Sequence, residues 1–106
     1  MRILIGGAGA VGVHLAKLLS RENHDIVLID TNETRLANLQ NDFDLMTVNA
    51  SPTSIAALEE AGAADADLAV GVTEHESDNI AFCMFAHSLG AKKTVARVDS
   101  YEYTAP

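Results

Sequence analysis

The chain has 106 residues, a mass of 11.2 kDa and one cysteine, Cys83, which limits it to a single domain without an internal disulfide. At 48 % apolar and 21 % charged residues it is globular, with no apolar run near the ~18 residues of a membrane span and no signal-peptide h-region behind Met1. Fifteen acids against seven bases give a net charge of −8, which excludes nucleic acid or anionic lipid binding through the general field.

Arg2 to Gly6 is a short apolar run ending in glycine and reads as a buried strand. Residues 10–22 follow as a helix, with Val11, Leu15, Leu18 and Leu19 spaced to form its inward face. Ile26 to Ile29, closed by Asp30, is a second strand. Thr31 or Asn32 caps a helix to about Gln40, with Leu36 and Leu39 inward. Leu45 to Val48 is a third strand, Asn49 to Thr53 a turn, and Ile55 to Ala61 a helix closed by Gly62. Leu68 to Val72 is a fourth strand, Glu76 to Leu89 a helix closed by Gly90, and Thr94 to Val98 a fifth strand.

Strands alternating with helices predict a Rossmann-like doubly wound parallel sheet with helices on both faces. A six-stranded dinucleotide fold wants a further helix and strand, yet the sequence reaches Ala105 and Pro106 just after its fifth strand. We therefore expect residues 1–106 to be the N-terminal lobe of a longer chain. The 76–89 helix adds to that expectation. Ile80, Cys83, Met84 and His87 lie on one face and Phe82, Phe85, Ala86 and Leu89 on another, so it needs two partners unless Phe82 is half exposed. Residues 42–78 carry nine acids and no Lys or Arg, which reads as a solvated surface or as a docking face for a basic partner.

The chemistry is concentrated in Gly7-Ala8-Gly9-Ala10-Val11-Gly12, a G-x-G-x-x-G between a predicted strand and helix. Gly7 permits the tight turn, Gly9 lets a pyrophosphate approach the backbone, and Gly12 lets the helix pack close to the strand. The helix N-terminus then offers free N–H groups and about half a positive charge to the phosphates. Gly6, beside the motif, has no clear role. The bland alternative is a glycine turn without a ligand. Asp30, 18 residues after Gly12, can accept both ribose hydroxyls of an adenosine and would repel a 2′-phosphate. Its alternative role is a helix cap. Thr31 adjoins it, and Arg35, one turn on, covers the adenine or reaches solvent. The loops Asn49-Ala50-Ser51-Pro52-Thr53 and Val72-Thr73-Glu74 follow the third and fourth strands and can line the same crevice. No nucleophile elbow is present, and His14, His24, His75 and His87 lack metal-ligand spacing.

These residues resemble the N-terminal lobe of the RCK domain family, also called KTN or TrkA-N domains. The likeness rests on Ile5 to Gly12 with His14-Leu15-Ala16, and on Val27-Leu28-Ile29-Asp30. It continues through Leu58-Glu59-Glu60-Ala61-Gly62, Asp65-Ala66-Asp67, Ala69-Val70-Gly71-Val72-Thr73, Asn79 and Ala96-Arg97-Val98. It implies that Gly7, Gly9 and Gly12 hold the pyrophosphate, Asp30 the ribose, and Ser51 and Thr53 the adenosine. It also places Thr73 at the nicotinamide or phosphate end and points Arg97 toward the ligand. Ser51 and Pro52 depart from the family's third loop, and Asp99 stands where a basic residue often follows the fifth strand.

The candidate cofactor-binding residues are thus Gly7, Ala8, Gly9, Ala10, Val11, Gly12, Asp30, Thr31, Arg35, Ala50, Ser51, Thr53, Thr73 and Arg97, with no catalytic or metal-ligating residue. The resemblance implies a regulatory rather than enzymatic role: a cytoplasmic, homo-oligomeric subunit that binds NAD or NADH, or else ATP or ADP. It would gate a membrane-embedded potassium transporter by a ligand-dependent conformational change, without inserting into the membrane itself. The rival reading is the cofactor-binding domain of an NAD-dependent oxidoreductase. Gly7 to Asp30 serve that equally well, but 106 residues leave no room for a substrate domain.

Overall fold

The structure, a computed structural model, describes residues 1–99. Ala105 and Pro106 lie outside the described residues. Five strands form one parallel sheet: β1 (Arg2–Gly6), β2 (Asp25–Asp30), β3 (Met46–Asn49), β4 (Leu68–Gly71) and β5 (Lys93–Ala96), in the order β3-β2-β1-β4-β5. Four α-helices connect them: α1 (Ala10–Ser20), α2 (Glu33–Asp42), α3 (Ile55–Glu60) and α4 (Glu76–Leu89). The reversal of direction after β3 puts a switch point between β1 and β4, where open α/β sheets bind their ligands.

Alternation along β1 explains the two-sided core. Leu4 points into the layer with Leu58 of α3 and Phe82, Cys83 and Ala86 of α4. Its neighbours Ile3 and Ile5 point into the opposite layer, with Ala16 of α1 and Leu36 and Leu39 of α2. The central strands β1, β2 and β4 are covered on both faces and are apolar through their interiors, whereas the edge strands β3 and β5 include Thr47, Lys93 and Thr94 and leave Met46 and Val95 exposed.

Two helices differ from expectation. In α1 the buried positions are Gly12 and Ala16, flanked by the partly buried Leu15 and Leu19, while Val11 and Leu18 stay 40 % and 44 % exposed. The smallest residues, not the largest, mark the face that lies closest to the sheet. In α4 a single stripe, Asn79, Phe82, Cys83 and Ala86, points inward. Phe82 is fully buried, and its ring takes the space above Gly6, where a Cβ would lie 2.9 Å from it. That gives Gly6 a role the sequence reading did not find. Met84 and His87 are exposed, and with Ile80, Cys83, Thr94 and Ala96 they border a shallow apolar groove.

The smaller differences are local. Asn32, not Thr31, caps α2 by accepting from the Arg35 N–H at 3.1 Å. A short 3₁₀ turn, Ala63–Asp65, follows the left-handed Gly62 and is too brief to show a period. The fifth strand ends at Ala96, so Arg97 and Val98 lie just past it.

At the amino edge of the sheet Asp67 joins three strands. One carboxylate oxygen accepts from the Arg2 N–H at 2.9 Å and the other from Lys92 Nζ at 3.2 Å, while its backbone pairs with Arg2 and Lys93. The Arg2 bond first, and Lys92 second, hold its carboxyl below the ordinary carboxylate range.

Candidate functional site

Because all five strands run the same way, their carboxyl ends meet at one edge. There they enclose a crevice of about 540 Å³. Its walls include Gly7, Gly9, Ala10, Val11, Asp30, Thr31, Arg35, Ser51, Thr73 and Arg97, ten of the candidates named from sequence. Asn32, Pro52, Val72, Glu74, His75 and Asp78 complete it.

The other four candidates sit behind the walls. Gly12 is buried beneath the turn, and Ala8 is buried with its N–H aimed at Asp30. Ala50 packs against the core and donates its N–H to the Asp30 carbonyl at 3.0 Å. Thr53 does not reach the crevice wall, because its hydroxyl lies 2.8 Å from that of Ser51, which it supports.

The three glycines of the motif have distinct physical reasons. Gly7 has φ +117°, a conformation that side chains disfavour, and a Cβ there would press on Thr73. At Gly12 a Cβ would lie 1.8 Å from the Gly7 carbonyl oxygen, so the helix could not start so close to the strand. At Gly9 a Cβ would meet nothing within 4 Å. The fold leaves that volume open, and it opens onto the crevice.

Gly9 also begins α1. The Val13 N–H donates to the Gly9 carbonyl at 2.9 Å, which leaves the amides of Ala10, Val11 and Gly12 without an intrahelical acceptor. The first turn carries no acid to offset the positive end of the helix. An anion is the natural complement of such an end.

Asp30 is already engaged. One oxygen accepts from the Ala8 N–H at 2.6 Å and the other from the Asn32 N–H at 2.7 Å. The carboxylate therefore anchors the glycine turn and the start of α2 together. Each oxygen keeps a second lone pair for a hydroxyl donor. It is not the helix cap itself, since that is Asn32.

Asn79 is the residue that sequence reasoning left out of the site. It is the one polar side chain buried among the described residues. Its carbonyl oxygen accepts from the Thr73 N–H at 2.7 Å, with the Thr73 hydroxyl also 2.7 Å away. Its amide nitrogen donates to the carbonyls of Thr73 at 3.1 Å and Arg97 at 3.0 Å. A lone asparagine one turn before Phe82, in an otherwise apolar stripe, was the available signal. Arg97 itself is half exposed and lies 3.5 Å from Asp99, an ion pair at the solvent edge. Cys83, one turn below Asn79, is buried, and burial pushes its thiol pKa up.

A parallel sheet in this order, with a glycine turn at its switch point and an acid closing β2, defines a Rossmann-like fold of the NAD-binding type. A family model described as the TrkA-N domain matches residues 3–105, and the chain belongs to that family. The chain is 45 % identical to a Trk system potassium uptake protein TrkA of Vibrio alginolyticus, over 99 % of its own length and 23 % of the relative's. It thus spans about a quarter of the curated relative it matches. Among solved structures it is similar to the GsuK channel bound to NAD, with a TM-score of 0.81 and 24 % identity over 96 % of this chain and 18 % of that one. It is also similar to a Shewanella denitrificans Kef CTD in AMP bound form, with a TM-score of 0.81 and 23 % identity over 98 % of this chain and 65 % of that one. At these identities the two structures show the fold.

Proposed function

We propose that the chain binds NAD or NADH in the crevice and does not turn it over, serving as a ligand-sensing module. The observation that carries this reading is the open volume at Gly9, set against the uncompensated N-terminus of α1. A pyrophosphate fits both the space and the charge. Asp30 would take the ribose hydroxyls with its remaining lone pairs, while Thr31, Arg35 and Ser51 flank the adenosine and Thr73 and Arg97 the far half. The same carboxylate opposes a 2′-phosphate, which sets NADPH apart from NADH.

An adenine nucleotide such as ADP or ATP is the second reading. The AMP bound in the similar Kef domain favours it, and the glycine turn would serve it unchanged. The likeness to a Trk system potassium uptake protein supports a role in potassium uptake. We place the chain there as a regulatory module beside a membrane-embedded transporter, on its cytoplasmic side and in a homo-oligomer. There ligands would act by binding one conformation better than another, since equal affinity for both shifts nothing. No helix among the described residues is long and apolar enough to cross a membrane. The deciding experiment is calorimetric titration with NADH, NAD, NADPH, ATP and ADP in turn. NADH or NAD binding tighter than NADPH, without turnover, supports the NAD(H)-sensing reading; preference for ATP or ADP moves the sensed signal to energy charge. No binding by any of them overturns the assignment.

A further inference from the structure

Two walls of the crevice lie beyond the last bonds of the sheet. The ladder ends with the Val72 N–H on the Gly6 carbonyl and the Arg97 N–H on the Gly71 carbonyl. What holds the chain after β4 and the chain after β5 beyond that point is Asn79. Its side chain reaches Thr73 through the backbone N–H, the backbone carbonyl and the hydroxyl, and reaches Arg97 through the backbone carbonyl. The amide cannot be turned over without setting its NH₂ against the Thr73 N–H and its oxygen against two carbonyls. Both of its donors are used and its acceptor is filled, which is what allows an amide to sit with no exposed surface. The backbone of α4 is fixed at the same place. A Cβ at Gly71 would lie 3.0 Å from both the Cα and the carbonyl oxygen of Asn79, so helix and strand touch directly.

We propose that Asn79 is a positioning residue of the crevice that makes the Thr73 loop and the chain at Arg97 one body. A ligand contact at Thr73 is thereby passed to the segment that leaves β5. An apolar residue of the same size would pack beside Phe82 as well, but it would leave the two segments independent. The ligand half of this proposal rests on the nucleotide reading above; the structural half does not.

The test uses Asn79→Asp and Asn79→Leu in the 106-residue chain, with amide hydrogen exchange and NADH titration at pH 8 and pH 5.5. An ionised aspartate faces two carbonyls without a donor. A protonated one regains an O–H for one of them, and burial favours that protonated form. At pH 8 the aspartate variant is expected to exchange faster over both 72–75 and 96–99, and to bind NADH at least tenfold more weakly. At pH 5.5 both effects should shrink in the aspartate variant and persist in the leucine variant. The wild-type protein carries the same Glu74, His75, Asp78 and Arg97 around the crevice, so its own profile is the baseline.

Faster exchange at 72–75 alone, with 96–99 unchanged, would overturn the coupling. Wild-type affinity and exchange in both variants would overturn the positioning role altogether. Absence of NADH binding by the wild type would sink the nucleotide reading instead, and the exchange data would still decide whether Asn79 joins the two segments. If the aspartate variant does not fold at pH 8, the leucine variant gives that same comparison.

Discussion

Replacing Asp30 with alanine separates two jobs that one carboxylate performs. The first is structural. Ala8 is 1 % exposed, so the N–H it donates to Asp30 would be left without a partner in a dry place. An orphaned buried donor costs about 1–3 kcal/mol. Asn32 is exposed, and its N–H would return to water at little cost. The apo protein should therefore lose about 2 kcal/mol, or roughly 8–16 °C in Tm for a domain of this size. The second job is recognition. Two ribose hydroxyls donating to a charged acceptor contribute ~1.5–3 kcal/mol each, so NADH affinity should fall about a hundredfold or more. Asp30→Asn should lie between wild type and alanine in the apo melt, because one amide oxygen can still accept while the nitrogen opposes a donor. Differential scanning calorimetry without ligand reads the first job and titration calorimetry reads the second. An apo Tm for the alanine variant within about 2 °C of wild type would refute the anchoring argument, since the orphaned amide could not then cost what burial demands. Unchanged affinity would remove Asp30 from the ribose site.

Other outcomes follow from single distances. Gly9→Val meets open space at an ordinary φ of −76°, so it should fold with a Tm several degrees lower, because valine caps a helix worse than glycine. It should lose NADH binding at least tenfold, and a folded variant that still binds would reduce the motif to a turn. Gly12→Ala puts a methyl against the Gly7 carbonyl and should cost about 1–3 kcal/mol in chemical denaturation, with a neutral result showing that the helix start can slide. The Cys83 thiol lines the groove beside Met84 at 9 % exposure and is raised by burial, so it should react with a disulfide reagent at pH 7.5 at least about tenfold more slowly than a free thiol; reaction at the free-thiol rate would contradict its burial. Asp67 has a folded pKa below its unfolded one. Its contribution is present above the ordinary carboxylate value near 3.9 and disappears as pH falls through the lower folded value. Asp67→Asn should thus be less stable than wild type in urea at pH 7, with the gap closing in acid; a gap constant down to pH 2 would contradict the linkage.

The sheet was legible because its central strands are short, unbroken apolar runs bounded by glycine or by polar residues. Ile26–Ile29 and Leu68–Val72 were placed to within a residue or two. The crevice was legible because the glycine spacing and the acid closing β2 answer to steric demands that leave few substitutes. What escaped the sequence depended on distances between elements. The i, i+4, i+7 pattern of α1 selected Val11 and Leu18, but the close approach at Gly12 rotates the helix toward its small residues. Gly6 had no role until Phe82, 76 positions away, was seen to fill the space above it. Thr53 was singled out beside Ser51, but the spacing could not show that its hydroxyl lies 2.8 Å from that of Ser51, behind the crevice wall. Asn79 was quoted only as part of a family likeness, because its partners are backbone groups that no side-chain pattern reveals.

Gly9 shows what the crevice withholds from the fold. It occupies the N-cap of α1 with an extended backbone that any residue adopts, and no neighbour forbids a side chain. Serine or aspartate there could bond to the open amides of the first turn, a cap worth a few tenths of a kcal/mol over glycine. The chain instead starts its first helix uncapped, on the residue type with the most backbone freedom to lose. On the nucleotide reading, the small stability a side-chain cap would add is given up where that side chain would stand in the pyrophosphate's way.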